Sequence, residues 1–538
     1  MMLPEEFTWI FALGVVWSLL DAYGIGANDL ANMFSPACAA GTLTMLQACI
    51  IAAFAEFLGA FLLGAETTET IKGDILDADR FADQPELLML GMLCALVGSA
   101  TWVIFASKKG LPVSSTNSIV GGIIGVGISA FGGGAIQWGY SGVAKIITSW
   151  FVSPVAAGIV TAIIYLPTRY FILESPNSFA RGIRTIPIYF FGTALIGSFY
   201  ILYKAIPDDK AGGLSAGVIV GIAFGVAAAA TAFSWFFFVP WVKRRVVEKE
   251  AIRWYHMPII FLVKYRPAPP PASPESTETP RVLESGNASE IEEKTGISTK
   301  QCGDDEDRAA SEAASEVPEA PPTWRAKLYQ KAKYYVMYGV SQDVRNLDNE
   351  ELTDIHAAAR KFDDDTEHLF SFLQVITSTL ASFAHGSNDV SNAAGPLSSI
   401  YDTWRSGEVD VAGENPVPKW ILAMAGGGIV LGLFTLGAIV MRRLGNGLTY
   451  MSPSRGFSAE LGTSLTVLTA SQIGLPVSTT YCFVGSVTSI GLCNGNLRAL
   501  NWKNLAVCFS SWMVTLPIAG LISGLLFAFA SNAPVKLI

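Results

Sequence analysis

Charge is what this 538-residue chain has least of: 15% of its residues are Asp, Glu, Lys or Arg, against 51% hydrophobic ones. Soluble domains carry about 25% charged residues, so a large soluble enzyme is excluded, as is a chain without a packed core. Histidine is scarcer still. His256, His356, His368 and His385 stand at no metal-ligand spacing, and no Gly-x-x-x-x-Gly-Lys-Ser/Thr occurs. A zinc site, a catalytic constellation and direct nucleotide drive are therefore unsupported, and no cofactor is expected. The seven cysteines contain no CxxC pair, and six of them lie in apolar stretches, where Cys packs as a small hydrophobe; a disulfide framework is not expected. Met1 to Glu6 carries acids and no base, unlike the basic start of a cleaved leader, so the first apolar run is expected to remain as a membrane helix. The net charge of −9 excludes a broadly basic nucleic-acid binder. All of it resides in residues 267–323, which hold 13 acids and 4 bases, so the rest of the chain is neutral overall.

What is abundant is apolar length. Runs near 8–33, 44–65, 87–107, 137–166, 186–206, 213–240, 369–395, 419–441 and 503–530 are long enough to cross a bilayer. Shorter Gly/Ser/Thr-rich pieces at 111–131, 456–471 and 475–493 are too short or too broken for plain spans. Irregular backbone at membrane depth survives only where protein or water solvates it, so these pieces mark the place to look for a site. The expected fold is an all-α polytopic membrane protein of about twelve helices, with two inverted repeats, broken helices and re-entrant hairpin-like segments. The chain divides into a first membrane half, 1–242, a cytosolic loop, 243–368, and a second membrane half, 369–538. Within the loop, the Pro/Ser/Glu-rich tract 267–323 has too few aromatic and β-branched residues for a core and is expected to be disordered. Asn287-Ala288-Ser289 in it is a formal glycosylation acceptor that a cytosolic loop would not use, and the basic, aromatic stretch 324–338 suits a surface helix on anionic lipid or an ordinary solvated helix.

Two motifs recur in order. Gly26-Ala27-Asn28-Asp29-Leu30-Ala31-Asn32 is echoed by Gly386-Ser387-Asn388-Asp389-Val390-Ser391-Asn392, an offset of 360. Gly110-Leu111-Pro112-Val113-Ser114-Ser115-Thr116 is echoed by Gly474-Leu475-Pro476-Val477-Ser478-Thr479-Thr480, an offset of 364, and the match runs on to Val120-Gly121 and Val484-Gly485. Basic loops face the cytosol. The loop opening at Lys243 and the pairs Lys108-Lys109 and Arg442-Arg443 are therefore placed inside, and the acidic loop 66–86, with seven acids against two bases, outside. The first Asn-Asp motif then enters from outside and the second from inside, the inverted arrangement of many secondary transporters, whose sites lie near the midplane.

On a helix, Asn28, Asp29 and Asn32 share one face, as do Asn388, Asp389 and Asn392, so each motif gathers a carboxylate and two amides inside an apolar span. Ionisable groups there are costly and read as functional. Their hard oxygens, with freed backbone carbonyls, suit Na⁺; a polar helix–helix clamp is the plainer alternative. In the second motif pair, Gly and Pro break the preceding segment and the hydroxyls can cap a new half-helix, whose N–H groups attract anions. Ser114, Ser115, Thr116, Ser478, Thr479 and Thr480 supply uncharged donors for an oxyanion that must be released, or else merely cap their own helices. Glu56 and Glu460, also in apolar spans but not equivalent in repeat register, could bind a cation, relay a proton or make a structural contact. His385, standing where the first repeat has Ile25, reads as a satisfied packed histidine before it reads as a modulator of a site.

These motifs together resemble the inorganic phosphate transporter family, over roughly 1–240 and 369–530, and the long acidic loop resembles its fungal sodium-dependent permeases. The resemblance implies sodium-driven uptake of inorganic phosphate, termini outside, the central loop in the cytosol, a plasma-membrane location and often a homodimer. It places the sodium ligands at Asp29, Asn32, Asp389 and Asn392, with Asn28 and Asn388. Phosphate donors fall on the two Ser/Thr clusters, and Glu56 and Glu460 match family glutamates of functional interest. The chain departs from relatives at Met92, where some animal members carry a glutamate, and at Tyr481-Cys482, where relatives often place His-Cys. Two rival readings stay open: proton coupling through Glu56, Glu460 or His385, and a phosphate sensor or receptor with 267–323 as its signalling arm.

Overall fold

The computed structural model describes residues 7–73, 75–76, 78–140, 142–205, 215–265, 350–410, 415–472 and 477–532. The tract 267–323, Asn287, the stretch 324–338, Cys302 and the Gly474-Leu475-Pro476 part of the second motif lie outside the described residues. Helix accounts for nearly all of the rest, with one isolated bridge between Leu76 and Ile136. This follows from lipid as solvent, where a helix satisfies its backbone internally.

In the first half, α1 (Thr8–Ile25) passes through a π turn (Gly26–Leu30) into α2 (Ala31–Ala39). Then come α3 (Met45–Gly73), α4 (Pro85–Lys108), α5 (Ser115–Phe131), α6 (Val143–Pro167), α7 (Ser178–Ala205) and α8 (Ala216–Phe233). The second half holds α9 (Asp364–Ser406), α10 (Lys419–Leu448), α11 (Pro453–Gln472), α12 (Thr479–Leu492) and α13 (Trp502–Asn532). Eight helical runs among the described residues are long and apolar enough to cross a membrane. The expected span 369–395 is not one of them. It lies within α9, a 43-residue helix whose Ser, Thr, Asn and Asp residues dilute its hydropathy. Many of these polar side chains are buried against other helices, so α9 is shielded from lipid by protein.

The expected breaks fall at one motif pair and not at the other. α5 starts at an extended Ser114, after Gly110 in the left-handed region (φ +64°) turns the chain out of α4. α12 likewise starts after an extended Ser478. The Asn-Asp motifs, in contrast, are wound: the first as the π turn, the second inside α9 without interruption, Pro396 included. The expectation of freed backbone carbonyls at these motifs is thereby corrected. Their side chains reach across to the half-helices, so the helical ladder need not open to expose oxygens.

The halves are interlaced, and repeat glycines make the crossings. A Cβ on Gly26 would sit 1.7 Å from the Ile429 carbonyl oxygen of α10, and one on Gly386 would sit 2.2 Å from the Glu56 carbonyl oxygen of α3. The partners answer with glycines of their own, Gly432 against the Tyr23 carbonyl (1.9 Å) and Gly59 against the Phe383 carbonyl (2.2 Å). The half-helices repeat the device: a Cβ on Gly121 would meet the Leu516 carbonyl of α13 at 2.4 Å, and one on Gly485 the Pro154 carbonyl of α6 at 2.2 Å. Small residues let backbones approach where no hydrophobic gain drives helix association. Gly26, Gly386, Gly121 and Gly485 thus pack against the opposite half, and the largest apolar core draws on both halves, from Ala22 and Phe34 to Leu433 and Phe483.

Candidate functional site

The two Asn-Asp motifs and the starts of α5 and α12 meet in one buried place. Asp29 Oδ2 accepts from the backbone N–H of Ser115 at 3.1 Å, and its Oδ1 accepts from the Thr480 hydroxyl at 2.6 Å. Asp389 Oδ2 accepts from the Thr479 hydroxyl at 2.6 Å, and its Oδ1 from Asn388 Nδ2 at 3.1 Å. The amides cross between halves: Asn32 Nδ2 donates to Thr480 Oγ1 at 2.9 Å, and Asn392 Nδ2 donates to Ser115 Oγ at 3.0 Å and Thr116 Oγ1 at 3.1 Å. Asn32 and Asn392 correspond at the offset of 360, as Thr116 and Thr480 do at 364. Each carboxylate therefore binds its own half's cluster, at Ser115 or Thr479, and Asp29 binds Thr480 of the other half as well, while each amide binds the other half's threonine.

Asp29, Asp389 and His385 bring their ligand atoms within 4.8 Å of one another, all three buried. Asn32 Oδ1 and Asn392 Oδ1, equivalent atoms in the two motifs, are buried with no hydrogen-bond partner. Two carboxylates and two unsatisfied amide oxygens at the junction of two motifs form a hard-oxygen donor set that fits a small cation.

His385 is packed between two carboxylates. Its Nδ1 lies 2.6 Å from Glu56 Oε1, and its Nε2 lies 2.9 Å from Asp389 Oδ2, within ion-pair distance but not aligned for a hydrogen bond. Ser382 holds the other oxygen of Glu56 at 3.2 Å. Glu56 thus reaches the cluster through His385. Around the first motif, Ile25 stands where the second has His385, and Ile429, which meets Gly26 as Glu56 meets Gly386, is apolar; both are buried. Glu460 lies apart, accepting from the Thr377 hydroxyl at 2.6 Å and from Gln374 at 3.4 Å.

Other expected residues are occupied locally. Asn28 spends its side chain on the end of α4 and the irregular segment before α5, donating to Ser107 Oγ (3.1 Å) and the Leu111 carbonyl (2.9 Å) and accepting from the Val113 N–H (3.0 Å). Ser114 caps α5, accepting from the Asn117 N–H at 3.2 Å. Ser478 occupies the same place on α12, buried. Sequence reasoning passed over Asn117 and noted Tyr481 only as a departure from relatives; the two correspond at the offset of 364 and touch each other across the halves at 2.5 Å. Trp150 donates to Asn117 at 3.0 Å, and Trp512 stacks on Tyr481 with ring centroids 4.0 Å apart. The repeat alignment carried the signal, since it pairs the residue after each Ser/Thr cluster. Beyond Gly110, a cavity of about 490 Å³ is lined by Lys109, Arg442, Arg443 and Lys503 among other residues.

Crossed half-helices, buried carboxylates and hydroxyl-rich helix starts in a polytopic helical chain define a membrane transport protein for small ions. Comparison with known proteins makes the class specific. The phosphate transporter family model matches residues 25–523, and the chain belongs to that family. It is 35% identical to the phosphate-repressible phosphate permease pho-4 of Neurospora crassa, over 99% of both chains. It is 30% identical to sodium-dependent phosphate transporter 2 of Felis catus, over 97% of this chain and 98% of that one. A solved structure titled "The sodium-dependent phosphate transporter" matches with a TM-score of 0.67 at 26% identity, covering 97% of this chain and 99% of that one.

Proposed function

We propose that this chain is a secondary transporter that carries inorganic phosphate with sodium by alternating access. Sodium binds between the motifs on Asp29, Asp389, Asn32 and Asn392, with Asn28 and Asn388 as supports. Phosphate binds at the starts of α5 and α12, on Ser115, Thr116, Thr479 and Thr480, which Ser114 and Ser478 position. The observation that carries this reading is a competition for donors. The Thr479 and Thr480 hydroxyls and the Ser115 N–H, groups suited to phosphate oxygens, are given to the two carboxylates. Sodium on the carboxylates releases those donors to the anion and cancels the negative charge that would repel it. Sodium therefore binds first and raises phosphate affinity.

The reading includes two inverted repeats, which the motif offsets and crossings support, and, from the family resemblance and the loop charges, about twelve spans, termini outside, the loop 243–368 in the cytosol, and a homodimer in the plasma membrane. Radiolabelled phosphate uptake into proteoliposomes under an imposed sodium gradient tests it. Saturable uptake that falls to background in choline is the expected result. The bridge from Glu56 through His385 to Asp389 favours a second reading, proton coupling. Uptake that persists in choline and follows a proton gradient would replace the first reading by this one.

A further inference from the structure

One buried carboxylate plays no part in the site described. Asp21 lies on α1, fully buried, and neither of its oxygens has a hydrogen-bond partner. It is the sole ionisable acid or base between Thr8 and Ala27 apart from Tyr23, in a run otherwise apolar or weakly polar. Across from it on α4 stands Ser99, itself fully buried, whose hydroxyl faces the carboxylate and interacts with it without reaching hydrogen-bond geometry. Three unsatisfied oxygens thus meet where α1 packs on α4. Asp21 precedes Asp29 by eight residues, about 12 Å along a helix axis, so the two carboxylates cannot share one ion.

No counter-charge is supplied from the surroundings. α4 has no ionisable side chain but Cys94 between Glu86 and Lys108, and α10 has none between Lys419 and Arg442. On α9 the titratable groups at this depth are His385 and Asp389, both engaged at the central site. The charged neighbour that acts on Asp21 is Asp29, of the same sign. A carboxylate held in such a place is strongly disfavoured unless a cation accompanies it.

We propose that Asp21 and Ser99 form a further cation position, separate from the Asp29–Asp389 pair, that takes one monovalent cation, sodium or a proton, in each transport cycle. The proposal rests on the sodium-coupled reading above. The cation's sign follows from the donor set, and its single charge from the single carboxylate. The position adds one positive charge to the cargo, and Asp29 links it to the central site: a cation at either place relieves the repulsion felt at the other, so filling one favours keeping its neighbour's carboxylate ionised.

The test measures charge moved per phosphate in proteoliposomes, from the membrane potential that nulls radiolabelled phosphate uptake, for wild type and Asp21→Asn. The variant is expected to move one elementary charge fewer per phosphate. Paired sodium and phosphate tracer fluxes then identify the cation. One sodium fewer per phosphate assigns sodium, whereas an unchanged sodium count with loss of the uptake driven by a pH gradient assigns the proton. An unchanged charge per phosphate overturns the proposal. Ser99→Ala, which keeps the carboxylate and removes one ligand, serves if Asp21→Asn does not reach the membrane: it is expected to shift the cation dependence of uptake to higher concentration, and an unshifted curve counts against the site. Absence of sodium-driven uptake in the wild type would instead refute the sodium reading itself, so the two failures are distinguishable.

Discussion

Replacing Asp29 by Asn separates transport from folding, and the structure gives the size of each effect. In the cation-free protein, Asp29 and Asp389 lie no more than 4.8 Å apart. At an effective dielectric constant of about 20, two like charges at that distance repel by about 3.5 kcal/mol. The Asp29→Asn substitution would remove this repulsion. It would also turn one of the two acceptor oxygens into an NH₂ group, so either the Thr480 hydroxyl or the Ser115 N–H loses a charge-assisted bond worth about 1.5–3 kcal/mol. The terms nearly cancel, leaving the variant as stable as the wild type or more stable by up to about 2 kcal/mol. The same change halves the negative charge of the cation site. Sodium at a hundredfold over its dissociation constant stabilises a protein by about 2.7 kcal/mol, and the variant forfeits that gain. The assay is thermal unfolding of purified protein in sodium and in choline, beside phosphate uptake. Asp29→Asn is expected to reach the membrane, to melt at the same temperature in both media and to show no sodium-driven uptake; the wild type is expected to melt higher in sodium. A variant that still melts higher in sodium, or transports at near-normal rates, refutes the reasoning.

Three further outcomes follow from the geometry. Gly386→Ala would bring a methyl to 2.2 Å from the Glu56 carbonyl, which cannot rotate away. A loss of about 3 kcal/mol is expected, read as lower expression and melting temperature, while Gly427→Ala, with nothing within 4 Å, stays neutral. Arg455 is fully buried and bonds Tyr165 Oη (3.1 Å), the Tyr450 carbonyl (3.3 Å), Asn494 Oδ1 (2.6 Å) and the Arg360 carbonyl (2.5 Å). Arg455→Lys cannot span this fork and is expected to lose about 3–5 kcal/mol in detergent unfolding. Glu460→Gln leaves the cluster around Asp29 untouched, so maximal uptake is expected to fall with an unchanged sodium half-saturation; a shifted half-saturation would place Glu460 among the cation ligands.

Much of this site was legible because its residues break a local rule twice. Carboxamides and carboxylates inside apolar runs, and hydroxyl clusters behind Gly-Leu-Pro, stand out against their surroundings, and repetition at nearly one offset tied them together. The same rule would have flagged Asp21, which has no counterpart in the second repeat and so drew no support from repetition. The roles of Asn28 and His385 were not legible. Which neighbour an Asn satisfies depends on the path of the chain before α5, and the partner of His385 comes from α3, at a separation of 329 residues. The freed carbonyls expected at Asp29 and Asp389 are not found, because polar side chains in a motif imply a break only when the backbone itself must serve as ligand. The glycines were read as part of a recurring pattern, but their reason is tertiary: each faces a carbonyl that the other half supplies.

Those crossings constrain how the molecule can move. α1 and α10 touch through Gly26 and Gly432, α3 and α9 through Gly59 and Gly386, in each case backbone to backbone. Such contacts leave no flexible side chain to act as a bearing, so sliding at either crossing would strip close packing from both helices at once. The four helices form a clasp whose two arms come from different ends of the gene. A transport stroke that hinged the first half of the sequence against the second would have to open that clasp on every cycle. The mobile boundary must run elsewhere, dividing the molecule along lines that the order of the sequence does not mark.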